Sequence, residues 1–231
     1  MTTPDQILPR GWRDLIQPGH ATTIGYDPAT TENEKSNPSG LAITQHVGND
    51  YAVAACAVWK TKDPEIAVAV LDEAMNLPHA IRPKALVIDA SNERYFAATL
   101  AKRYRSRTKV VLYVAGEKTT HAGEDMPLKT FCGNLVKNAV EDGHLLLPDE
   151  DWVYRNFRGV KEEKGGFFFE TDEDGNHCDL VQAVMNCLYG FCSPGSGPIS
   201  ASPAGTVSQR VWGALQSLGR RGGGPTHRFT S

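Results

Sequence analysis

Short continuous apolar runs alternate with polar loops along most of the chain, and the spacing inside each run separates strands from helices. Residues 22–27 (T-T-I-G-Y-D) read as a first strand. Residues 28–39 are polar and close on Asn37-Pro38-Ser39-Gly40, a turn signal. Residues 41–47 and 51–59 flank Gly48-Asn49-Asp50, a link so short that the two strands pair antiparallel. A helix follows, with Asp63 as cap, Pro64 at its first position, and Ile66, Ala69, Val70 and Ala74 as its apolar face. Residues 84–89 form a continuous apolar strand of the kind covered on both faces. Phe96, Ala97, Leu100, Ala101 and Tyr104 mark the next helix, and residues 109–114 another buried strand. Beyond a polar loop, Pro127 opens a helix with Leu128, Phe131, Leu135 and Ala139 at helical spacing, stopped by Gly143. Short strands at 144–147 and 166–170, a polar turn at 171–176 and a helix from Asp179 to about Tyr189 complete the ordered part.

Antiparallel strands therefore come first and βα alternation follows. That order predicts an α/β fold with one mixed central sheet, hairpin strands joined to parallel βα units, flanked by helices on both faces. Residues 1–20 read as an entry segment or the remnant of an interdomain linker. Residues 21–192 form the folded domain. Residues 193–231 are rich in Ser, Pro and Gly and read as a flexible basic tail, with a short helix expected near 211–218.

Composition narrows the function classes without choosing one. The 231 residues carry a net charge of −3, which does not mark a polyanion binder. Four arginines and no acid lie in 191–231, so that segment carries +4 and residues 1–190 carry −7. Any nucleic-acid contact by the body must come from a local basic strip. The five cysteines form no C-x-x-C pair, and an odd count without a signal peptide points to reduced thiols inside a cell. Cys56 and Cys132 fall on apolar patterns and read as core. A zinc site built from His177, Cys178, Cys187 and Cys192 matches no familiar spacing. No apolar run approaches the roughly 20 residues that span a bilayer, so no membrane is expected.

The candidate chemistry lies in three aspartates. Asp27 closes the first strand, Asp89 closes the 84–89 strand, and Asp179 opens the last helix. Acids at the ends of buried strands are costly unless something pairs with them, and divalent cations are the usual partners of converging carboxylates. With the first strand central and the Asp89 strand beside it, Asp27 and Asp89 emerge at one sheet edge, within reach of Asp179. Three such carboxylates can hold two cations about 4 Å apart, the separation used for in-line phosphoryl chemistry. Mg²⁺ suits an open, all-oxygen site of this kind. Each acid alone also admits a purely structural role: Asp27 in a turn, Asp89 or Ser91 as a helix cap, Asp179 complementing a helix dipole. His177 is either a donor orienting a carboxylate or touching DNA, or a helix-start residue with a structural hydrogen bond. Asp172, Glu173 and Asp174 read as a solvated acidic turn.

The ordered set of segments resembles a known family. Gly25-Tyr26-Asp27-Pro28-Ala29 followed by Asn37-Pro38-Ser39-Gly40-Leu41-Ala42-Ile43 is similar to the opening of the nuclease domain of tailed-bacteriophage terminase large subunits. Val87-Ile88-Asp89-Ala90-Ser91 resembles that family's second acidic strand. Residues 127–148 resemble its long helix and the strand after it, and His177-Cys178-Asp179-Leu180-Val181-Gln182-Ala183 resembles its closing H-x-D-x-x-x-A motif. The resemblance covers about residues 22–190. It implies an RNase H-like fold and an endonuclease that cuts double-stranded concatemeric viral DNA at genome packaging. It implies two-metal catalysis by Asp27, Asp89 and Asp179 with Mg²⁺ or Mn²⁺. It also implies a motor ATPase, a small terminase subunit and a portal as partners, and the host cytoplasm as the place of action. The phosphate-binding G-x-x-x-x-G-K-[ST] loop of the family's motor is absent from these 231 residues. The chain is accordingly expected to be an excised or separately encoded nuclease domain that does not translocate DNA itself.

Candidate phosphate contacts are Lys35, Arg94, Lys118 and Lys129. Lys35 and Arg94 rank first because their loops flank the acids. The tail either docks on the portal or capsid vertex or adds non-specific DNA affinity. Four alternatives share parts of this pattern. A junction resolvase or an RNase H-type hydrolase would keep the fold and metals but prefer branched DNA or an RNA–DNA hybrid. A non-catalytic docking module would keep only the sheet. A sugar-kinase-like ATPase would need glycine-rich phosphate loops that the chain lacks.

Overall fold

A computed structural model describes residues 4–30, 37–121, 123–163, 165–171 and 178–193. Its strands and helices run α1 (Pro4–Ile7), β1 (Ala21–Asp27), β2 (Ser39–Val47), β3 (Asp50–Trp59), α2 (Pro64–Met75), β4 (Ala85–Asp89), α3 (Arg94–Tyr104), β5 (Lys109–Tyr113), β6 (Lys118–His121), β7 (Glu124–Pro127), α4 (Leu128–Glu141), β8 (Leu145–Leu146), α5 (Asp151–Arg158), β9 (Val160–Glu163), β10 (Gly166–Phe169) and α6 (Asp179–Cys192).

Six strands form the central sheet in the order β5-β4-β1-β2-β3-β8. β1 to β3 pair antiparallel, whereas β1–β4, β4–β5 and β3–β8 pair parallel. This is the mixed sheet that the element order predicts, and β1 lies inside it with β4 as its neighbour.

Strand alternation sends every second side chain to each face. Ile24, Tyr26, Leu41, Ile43, Leu86 and Ile88 pack against α2 and α3 through Ala67, Val70, Leu71, Ala97, Leu100 and Tyr104. On the other face, Ala42, Ala85, Val87 and Tyr113 meet α4 and α6. Leu8, Trp12 and Ile16 are buried in the first of these two cores, so the lead-in segment contributes to the packing. Asp63 caps α2 as expected, its carboxylate accepting from Glu65 N at 2.9 Å.

Several expectations need correction. Residues 109–114 do not form a buried strand. β5 is an edge strand in which only Tyr113 is buried and Leu112 is 40 % exposed, because no further strand covers its free side among the described residues. The buried faces of two helices are rotated from those expected. α2 buries Ala67, Leu71 and Met75 with Val70 and Ala74, and α4 buries Cys132 and Val136 with Leu128 and Ala139. The polar loop before α4 contains the β6–β7 hairpin, and β10 pairs with an unforeseen β9 in a second small hairpin. The acidic turn, the 211–218 helix and the tail from residue 194 lie outside the described residues.

Candidate active site

The sheet itself sets two of the acids side by side. β1 and β4 run parallel with Tyr26 opposite Ile88, so the next residues, Asp27 and Asp89, end adjacent strands at the same edge. Both belong to the alternation that faces α6. In β1 this is Thr23, Gly25 and Asp27, and the Thr23 hydroxyl donates to the Cys187 carbonyl of α6 at 3.0 Å.

The third acid arrives because two glycines let α6 lie on the strands. A Cβ at Gly25 would stand 1.9 Å from the Ala183 carbonyl oxygen, and one at Gly40 would stand 2.4 Å from the carbonyl oxygen of Asp179. No side chain is tolerated at such approaches. Gly40 is also the register partner of Asp27. The first residue of α6 therefore rests over the paired ends of β1 and β2, near enough for the charge of Asp179 to act on Asp27.

Burial and mutual repulsion dominate the electrostatics. Burial pushes the Asp27 carboxyl well above the usual carboxylate range, and the charges of Asp89 and Asp179 push it further. Asp89, 9 % exposed, is raised by burial; its hydrogen bonds with Ser91 and the charge of Lys129 pull it back. Ser91 N donates to Asp89 Oδ1 at 2.7 Å, while Ala115 N donates to Ser91 Oγ at 2.9 Å, so neither side chain caps α3. Asp179, 4 % exposed, is raised by burial to about 7, against the pull of its own backbone amide and of Lys60. Asp179 Oδ2 is buried without a hydrogen-bond partner.

The donor set fits a hard divalent cation: carboxylate oxygens from three elements, one of them orphaned. Among the described residues no three His, Cys, Asp or Glu side chains are grouped closely enough to hold a metal ion as they stand. Three acids without a countercharge repel one another, and an ion that keeps several waters needs no closed cage. Of the cysteines in the zinc reading, Cys178 and Cys187 are buried in the packing and Cys192 is exposed. Cys187 Sγ donates to the Ala42 carbonyl at 3.2 Å, and Cys178 Sγ to that of Glu170 at 3.6 Å.

No protein-family profile and no curated protein matches this chain. Solved structures do. The large terminase nuclease of thermophilic phage G20c superposes with a TM-score of 0.53 at 12 % identity, over 78 % of this chain and 96 % of that one. A second G20c structure, with bound magnesium, gives 0.50 at 12 % identity over 82 % and 97 %. The large terminase of another thermophilic bacteriophage gives 0.54 at 13 % identity, over 76 % of this chain but only 41 % of that one. The fold is that of a large-terminase nuclease. Its RNase H-like mixed sheet is the architecture described above, and the chain spans about two fifths of that longer large terminase.

Within this terminase-nuclease fold, the sequence-predicted residues separate into groups. Asp27 and Asp89 end adjacent strands at one sheet edge, and the charges of Asp89 and Asp179 both act on Asp27. Lys129, in the first turn of α4, is half-buried, with its ammonium 4.5 Å from the Phe169 ring centre and its charge acting on Asp89. Arg94 opens α3 and is exposed. Its neighbour Glu93 accepts from Thr30 N and Oγ1 at 3.3 and 3.0 Å, tying the loop after β1 to the loop after β4. Lys118 lies exposed on β6, whereas Lys35 and His177 fall outside the described residues. The sequence reading missed Lys60, whose charge reaches Asp179, and the buried polar residues Tyr113, Gln182 and Asn186 behind the acids. For Gln182 and Asn186 a signal existed: they are amides at the third and seventh positions after Asp179 in an otherwise apolar helix.

Proposed function

We propose that this chain is a metal-dependent endodeoxyribonuclease that cuts double-stranded viral DNA during genome packaging. What supports this reading is that the charges of Asp89 and Asp179 act on buried Asp27 while Asp179 Oδ2 is buried without a hydrogen-bond partner, on the fold of large-terminase nucleases. These three residues would hold two divalent cations, Mg²⁺ or Mn²⁺. When bound, the cations supply Lewis-acid activation and neutralise developing charge on the phosphate.

The remaining work falls to the chain's own groups. Asp27 and Asp179, raised by burial, give up protons as the site loads, so metal binding strengthens from pH 6 to pH 8. Lys129, partly desolvated beside Phe169, sets a fixed positive charge next to Asp89, where a scissile phosphate would lie. Arg94, together with Lys35, grips the phosphate backbone, which gives little sequence preference and a steep salt dependence. His177 orients a carboxylate or touches DNA. The motor, the small terminase subunit and the portal are the partners this role requires, within the host cytoplasm.

A substrate panel tests the reading: linear duplex, a four-way junction and an RNA–DNA hybrid, each with Mg²⁺, Mn²⁺ or EDTA. Metal-dependent cutting of plain duplex is expected. Cutting confined to the junction or the hybrid would assign the fold to a resolvase or an RNase H-type hydrolase instead. Tight duplex binding without metal in moderate salt would also count against it, because bare acids repel phosphate.

A further inference from the structure

α6 is buried on nearly every side, and its residues are apolar except along one line. Asp179, Gln182 and Asn186 follow one another at three- and four-residue spacing, which places them on the same face of the helix. Gln182 is 5 % exposed and Asn186 fully buried. A primary amide taken out of water is costly unless hydrogen-bonded, and leucine would fill either position. Their bonds run in one direction. Gln182 Nε2 donates to Asn186 Oδ1 at 3.0 Å, and Asn186 Nδ2 donates to the Tyr26 carbonyl at 3.1 Å. That carbonyl belongs to the same peptide unit as the amide of Asp27. At its other end Gln182 lies beside the buried hydroxyl of Tyr113, the register partner of Asp89.

We infer that Gln182 and Asn186 are positioning residues: a buried amide relay that ties the helix carrying Asp179 to the peptide carrying Asp27 and holds the two acids together against their repulsion. This deepens the proposed nuclease reading and rests on it for the metal's role. The link itself is a property of the metal-free fold. Removing it leaves the core filled but frees the end of β1 to move away from α6, so the acids no longer share an ion well.

Asn186→Leu and Gln182→Met in the full chain test it, since each keeps a side chain of similar length in the core and removes the amide's hydrogen-bonding groups. Three readouts are taken: thermal midpoint, Mg²⁺ and Mn²⁺ affinity by calorimetry without DNA, and the amide shift and hydrogen-exchange rate of Asp27 by NMR in EDTA. The expected result for Asn186→Leu is a folded protein with a displaced Asp27 amide resonance, exchange at Asp27 faster by tenfold or more, and metal affinity lower by tenfold or more. Gln182→Met shows the same changes to a smaller degree. Wild-type metal affinity and an unmoved Asp27 amide in both folded variants would overturn the relay and leave the amides as core filling. If Asn186→Leu does not fold, Gln182→Met decides on the same criteria. If wild-type protein binds neither metal, the nuclease reading fails, while the Asp27 amide still reports whether the link exists.

Discussion

Replacing Asp179 with Asn is expected to stabilise the metal-free protein at pH 8 while abolishing cleavage. In the folded chain, burial raises this carboxyl from 3.8 to about 7. Each pH unit corresponds to about 1.4 kcal/mol, so ionising Asp179 inside the fold costs about 4 kcal/mol relative to the unfolded chain. Asn has the same shape and no charge. Its amide must occupy a place where Oδ2 now meets no partner, which costs about 1–2 kcal/mol. The net gain at pH 8 is therefore about 2–3 kcal/mol. Because the folded state holds the proton more tightly than the unfolded state, wild-type stability in EDTA falls as pH rises from about 4 to about 7 and levels off above. Asp27 and Asp89, also raised, tilt the slope the same way. An amide at this position contributes no slope, so the advantage of D179N shrinks and disappears toward pH 4.5. Urea unfolding of both proteins in EDTA at pH 8 and pH 4.5 measures it. A D179N protein no more stable than wild type at pH 8, or a gap that ignores pH, would refute the claim that this acid is held at a desolvation cost.

Three further perturbations probe other links. Gly40→Ala puts a Cβ 2.4 Å from the Asp179 carbonyl oxygen and must push α6 off β2 by about 1 Å; about 1–3 kcal/mol of stability and roughly 100-fold in cleavage rate are expected to go, whereas Gly116→Ala, with open space around it, leaves both unchanged in melting and plasmid assays. Lys129→Ala removes the positive charge acting on Asp89; cleavage at pH 7 is expected to slow by about tenfold or more, with Lys129→Arg retaining part of it and duplex affinity in a filter-binding assay moving less than the rate. Trp12→Ala empties a site 3 % exposed in the first core and is expected to cost about 3–5 kcal/mol by urea unfolding; an unchanged midpoint would mean that the lead-in segment does not hold the fold.

The elements legible in the sequence are those whose residues answer to a single physical demand. β1, β2, β3 and β4 are buried on both faces, so their apolar runs are continuous and their ends are marked by turns or acids. β5 carries the same Val-Val-Leu signature, yet it ends the sheet, and nothing local to the strand distinguishes an edge from an interior. β6, β7 and β9 are exposed strands whose K-T-T-H, E-D-M-P and V-K-E-E sequences look like loops, because only hairpin pairing orders them. In α2 and α4, apolar residues on adjacent positions allow two faces, and packing against the sheet selects the one with Leu71 or Val136. The structure keeps Asp27 and Asp89 at the strand ends and Asp179 at the helix start where the sequence places them. The spacers Gly25 and Gly40 were visible only as parts of motifs, since their purpose is a contact with a helix more than 130 residues away. Lys60 was not legible at all, because its proximity to Asp179 comes from β3 returning past β2.

Cleavage of supercoiled plasmid by wild type and Asp89→Ala, each with Mg²⁺, Mn²⁺ or EDTA, tests the central claim most directly. The charge of Lys129 acts on Asp89, and removing the Asp89 carboxylate disturbs no helix cap. The account expects nicking and linearisation by wild type in either metal, none in EDTA, and none by the folded variant in any condition. Cleavage that survives in EDTA, or that Asp89→Ala retains at the wild-type rate, would contradict it.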